Sequence, residues 1–358
     1  MVVRIVLALI AASALLAEEP AESDLQTGIA LTRQGRFQQA VPHFLAARGH
    51  VAEDFALEFN LALCYVGTRQ FPQAIEILTH IGGGRHEADV DNLLAQAFVG
   101  DHQQEAAMKA LQRSADASPA NEKLYLLVSE ACFDEGLYEL GIRVLEVGLR
   151  NLPDAPRLLF ERGLLRSQLE EADLANRDFQ LVRKLAPDSD IAFIAAAQQA
   201  LLAGNVQETI RAAREGIRNG HPHYLLLTML GEALLRAGAT PATPAEFGEA
   251  QAALERAVAE RPSYSSAHIS LGRIYLAQQR TEDAITQLET GRQLDPRNRA
   301  VYAALATAWR RVGKPDKARE ARAALAELNR QEAERIGSAE GGHSGYSGGR
   351  SGEEEAPR

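Results

Sequence analysis

Cysteine is scarce in this chain: 358 residues hold two, Cys64 and Cys132. A disulfide framework is therefore excluded, and stability must come from buried apolar surface. Aromatic residues are only 6%, with a single tryptophan, while hydrophobic residues reach 46%. Small side chains, alanine above all, must then make many of the contacts. Positive charge is in deficit: 38 Lys and Arg against 48 Asp and Glu give a net charge of −10. The basic residues are scattered, so nothing is set up to neutralise a phosphate backbone, and nucleic acid is excluded as a partner.

Catalytic signatures are missing too. There is no Gly-x-Ser-x-Gly elbow and no His-Glu-x-x-His. Gly82-Gly83-Gly84 is followed by Arg85-His86, not by the Gly-Lys-Ser/Thr of a phosphate loop. None of the nine histidines has metal-ligand spacing. His221-Pro222-His223 reads as a turn, and Glu170-Glu171 as a solvated helix end. The expectation is a non-enzymatic protein with no cofactor, metal or small-molecule substrate.

What the sequence does have is a period. Pro119, Pro153 and Pro187 fall 34 residues apart. Between the first two come Tyr125, Gly136, Tyr138, Leu145 and Gly148. An early aromatic, a central turn signal, then aliphatic positions and a closing proline describe one helix–turn–helix unit. Proline lacks an N–H and cannot continue a helix, so it ends each unit. Asn121, Asp154, Asp190 and Asn298 stand where the next helix begins and are expected to act as N-caps. Self-similarity at this spacing marks a stack of units, each packing on its neighbours. Cys64 and Cys132, two units apart in such a stack, are too distant to bond.

The N-terminus reads differently. Arg4 precedes an apolar stretch, Ile5 to Leu16, and Ala12, Ser13, Ala14 and Ala17 offer cleavage points. Residues 1–17 have the form of a signal peptide cleaved near Ala17, which implies export to a periplasmic or extracellular space. The apolar stretch falls short of the roughly 20 residues a spanning helix needs. An uncleaved membrane anchor is the alternative. The expected layout is a short linker at 18–22, a repeat array over 23–336 ending in a capping helix, and a Gly/Ser/Glu-rich disordered tail at 337–358.

The units resemble the tetratricopeptide repeat family. That family places an aromatic, Leu-Gly and a second aromatic on the first helix. Alanine and an aromatic follow on the second helix, with a closing proline. Leu271-Gly272, Tyr275, Ala284, Leu288 and Pro296 match it best, and Leu230-Gly231, Leu234, Ala250, Leu254, Ala257 and Pro262 match next. Earlier units carry Gly28, Phe37, Ala40 and Phe44, then Ala62, Tyr65, Phe71 and Ala74. Gly163, Ala175, Phe179 and Pro187 mark a fifth unit, and Tyr302, Ala306, Trp309 and Ala318 the last. One unit, 224–264, is longer than the rest, with the excess in the turn Ala239–Phe247.

The resemblance implies an all-α, right-handed α-solenoid of about nine units. It also implies a concave groove lined by first helices, holding a protein or peptide segment. Carried over to this chain, the groove positions are Leu25, Ile29, Phe59, Asn60, Leu63, Asn92, Gln96, Leu126, Glu130, Phe133, Phe160, Gln198, Glu232, Arg273, Arg310 and Arg311. The implied function is an exported binding scaffold. The alternative is a membrane-anchored structural or assembly subunit of an envelope or secretion complex.

Overall fold

The computed structural model describes residues 20–51, 54–82 and 87–343. The expected signal peptide lies outside them, as do residues 344–358 of the expected tail. The described residues contain eighteen helices and no strand. They fall into two compact units divided between Pro187 and Asp188.

The first unit holds five hairpins. These are α1 (Pro20–Arg33) with α2 (Phe37–Ala47), α3 (Asp54–Gly67) with α4 (Phe71–Ile81), and α5 (Glu87–Gly100) with α6 (Gln104–Ala117). Then come α7 (Glu122–Asp134) with α8 (Tyr138–Asn151), and α9 (Pro156–Gln168) with α10 (Ala172–Leu185). The second unit holds four. They are α11 (Asp190–Leu202) with α12 (Val206–Arg218), α13 (Tyr224–Arg236) with α14 (Pro244–Glu260), α15 (Ser265–Ala277) with α16 (Thr281–Leu294), and α17 (Arg299–Arg311) with α18 (Pro315–His343). Helix α1 begins at Pro20, inside the expected linker. Helix α18 runs past the expected boundary at 336 to His343.

One turn geometry recurs in all nine hairpins. Gly35, Gly136, Gly204, Gly238 and Gly313 sit at positive φ between the paired helices, and Arg69, His102, Glu170 and Gln279 take the same place in the others. The next residue donates its N–H back across the helix end, as in Leu137 to the Cys132 carbonyl at 2.8 Å and Lys314 to Trp309 at 2.9 Å. This is the Schellman closure, which satisfies carbonyls that the helix end leaves open.

Inside a hairpin the helices meet at a glycine. A Cβ on Gly28 would lie 2.8 Å from the Phe44 ring, and one on Gly163 would lie 2.7 Å from Phe179. Aromatics therefore fill the hairpin interior as well as the wedge between units. Phe37, packed where a Cβ on Gly67 of the next hairpin would fall, is of the wedge kind.

The helix starts differ in detail from expectation. Asn298 caps α17, accepting from the Ala300 N–H at 3.1 Å. Asn121 occupies the N-cap of α7 but makes no side-chain bond to it. Ala155 stands at the cap of α9 because Pro156 takes the first helical position, which displaces Asp154. Ser189 caps α11, and Asp190, already helical, turns its carboxylate to His221 instead. In the long seventh unit, Pro244–Phe247 belong to α14 rather than to the turn.

Both cysteines are buried thiols. Burial pushes Cys132 up to about 12, so it is inert as a nucleophile at neutral pH.

Candidate functional site

Curvature decides which side chains face inward. In the first unit α1, α3, α5 and α7 each touch the next first helix, whereas among the described residues α6 and α8 are the one second-helix pair in contact. In the second unit α11, α13, α15 and α17 touch in series, and no second helices meet. First helices thus crowd together on the inner side of each unit, and second helices spread on the outer side.

The inner face of the first unit is partly closed. Leu25, Asn92 and Phe160 are each only 3% exposed, so none can meet a partner. Leu25 belongs to the core. Phe160 packs its ring 5.6 Å from Phe179. Asn92 donates to the Leu124 carbonyl at 2.8 Å, because α5 and α7 lie unusually close. Across the same region Arg69 donates to Glu135 at 2.8 Å, joining the turns of the second and fourth hairpins.

Ile29, Phe59, Leu63 and Leu126 are half-buried against the core. Phe59 stacks on Phe55 with centroids 5.9 Å apart. Asn60 spends its amide on the Ala56 carbonyl, and Gln96 donates to Asn92.

Glu130 and Phe133 remain open. Phe133 is 43% exposed, with its ring 5.7 Å from Tyr138. Beside them the structure adds a residue that the sequence reading omitted, Glu161 of α9. Burial, then the nearby Glu130 charge, pushes its carboxyl up to about 7, against a smaller opposing pull from Arg157. Its one-residue offset from Phe160 on α9 was the available signal. An aromatic face next to two carboxylates, one of them held well above the usual carboxylate range, suits a partner carrying both an apolar group and a positive charge.

The inner face of the second unit is polar. Gln198 and Glu232 are half-buried, and Glu232 accepts from Ser270 at 2.8 Å. Arg273, Arg310 and Arg311 are exposed. Arg311 also donates to the Leu276 carbonyl, which ties α17 to the end of α15.

Among the described residues no group of three or more His, Cys, Asp or Glu could hold a metal ion. No described helix is long and apolar enough to cross a membrane.

Comparison with known proteins agrees with this geometry. Residues 31–97 and 245–308 match the tetratricopeptide repeat family. No curated protein sequence matches the chain. Among solved structures, a chain of the APC/C hetero-tetramer Cut9–Hcn1 superposes with a TM-score of 0.51 at 13% identity, over 86% of this chain and 74% of that one. A tetratricopeptide repeat protein from Parabacteroides merdae gives 0.49 at 16% identity, over 70% and 97%. Yeast Tom70 gives 0.42 at 14% identity, over 90% and 95%. The two matched segments are thus tetratricopeptide repeats, and all nine hairpins of the described residues close with the same turn.

Proposed function

We propose that this protein is an exported, non-enzymatic scaffold that holds a protein or peptide segment against the inner faces of its helical units. The observation that carries the reading is Phe133, the one exposed large apolar side chain among the described residues that lies on a first helix. A ring left open on an otherwise filled inner face, beside Glu130 and Glu161, has the composition of a binding hot spot. A preformed surface of packed helices lowers the ordering cost of association. Arg273, Arg310 and Arg311 give the second unit's inner face the opposite charge, which suits an acidic portion of a partner.

Site-specific photo-crosslinking in the native cell tests this. Crosslinkers at Leu126 in the first unit and at Arg273 in the second should each capture a partner, and crosslinkers at the outward-facing Leu45 and Leu294 should not. Equal capture from both sets would reject the inner face as the site. Export is read separately. N-terminal sequencing of the native chain should begin at Glu18, whereas an intact Met1 would favour the anchored alternative.

A further inference from the structure

Six large apolar side chains are exposed among the described residues, and three of them share one helix. Leu174, Leu181 and Leu185 of α10 are 36%, 42% and 38% exposed. Their spacing places them within roughly 40° of arc on an α-helix. The core-facing residues Ala175, Phe179 and Val182 lie about a quarter turn away. A single exposed leucine needs no explanation, but three on one face of an outer helix do.

Charge along the same helix says what fits the row. Glu170, Glu171 and Asp173 make its beginning acidic, and Arg177 and Lys184 make its later turns basic. Asp173, Arg177 and Lys184 are exposed and project from one flank of the leucine row. When two identical helices pair antiparallel about a two-fold axis, each flank meets the same flank of its mate in reverse order. Acidic beginning then faces basic end twice over, and the helix dipoles oppose favourably. Parallel pairing would set this flank against the mate's core-facing flank and align the two dipoles unfavourably.

We propose that α10 is a self-association surface on which a second copy of this chain lays its own α10 antiparallel. The axis passes near Phe179 and Gln180. Leu174 then meets the mate's Leu185, the two Leu181 side chains straddle the two-fold axis about 4.5 Å apart along the helices, and Asp173 of each copy lies within one turn of the other's Lys184. The apolar row is short, so the dimer is concentration-dependent rather than obligate.

Sedimentation equilibrium of the purified full chain over a range of concentrations tests the proposal. The wild-type mass should move from monomer towards dimer, and Leu181→Glu should hold it at monomer. Lys184→Glu and Asp173→Lys, both surface changes, should each weaken association by about tenfold. The double variant Asp173→Lys/Lys184→Glu should recover most of it, because the swapped charges again face one another. Circular dichroism confirms that each variant keeps its helix content. A wild type that stays monomeric throughout, a dimer indifferent to Leu181→Glu, or a double variant as weak as the singles would each overturn the proposal.

Discussion

Glu161 carries the clearest electrostatic signature of a single residue here. Its folded carboxyl sits at about 7, above the unfolded range. The folded state therefore holds the proton more tightly than the unfolded state. The stability this provides is complete below the unfolded value and is lost as pH rises through about 7. Glu161→Gln should leave the melting temperature nearly unchanged near pH 4, below the unfolded value, and raise it at pH 8, by about 1–3 kcal/mol of stability. Equal calorimetric transitions for both proteins at pH 8 would refute the assignment. Packing gives a second expectation. Gly163→Ala drives a methyl into the Phe179 ring and should cost about 1–3 kcal/mol in denaturant unfolding. Gln279 holds a left-handed conformation that favours glycine, so Gln279→Gly should be neutral or stabilising by up to about 1 kcal/mol. Residue roles were the least legible part of the sequence. Phe160 and Asn92 occupy first-helix positions that read as inner surface. Phe179 covers one, and the close approach of α5 and α7 covers the other. Both are contacts between chain segments that periodicity cannot rank.

At the scale of the element, the fifth hairpin adds a buried charge cluster to its apolar contacts, as the third does with Arg113 on Asp91. Arg162 and Arg166 of α9 both donate to Asp178 of α10, at 2.7 Å for the shortest contact of each. The Asp178 side chain is almost fully buried. Asp178→Ala would leave two half-buried guanidinium groups without their shared anion and should cost about 2–4 kcal/mol, read by chemical denaturation. A loss below about 1 kcal/mol would mean that the cluster behaves as a solvated surface pair. Helix existence was legible here, and helix starts were not. The closing prolines and central turns recur because the chemistry of stopping a helix is covalent and local. Cap identity depends on competition. Ser189 takes the cap that Asp190 was expected to fill, because Asp190 is drawn to His221 across the hairpin.

At the scale of the molecule, stability is the sum of hairpins and the interfaces between neighbours. The repeat period gave the nine hairpins directly, since each must hide its apolar side on the next. It could not show that the chain divides into two compact units between Pro187 and Asp188, because Pro187 closes its hairpin as Pro153 closes the one before. Nor could it separate inner-face residues that pack from those left open, which depends on how closely successive first helices approach. The central claim is that the inner face, at Phe133, holds a partner. Its most direct measurement is the affinity of the crosslinked partner for purified variants. Phe133→Ala should weaken binding at least tenfold, as removal of a hot-spot ring does, while the outer-face change Leu45→Ala leaves it unchanged. An affinity unmoved by Phe133→Ala, or lost equally with Leu45→Ala, would contradict the account.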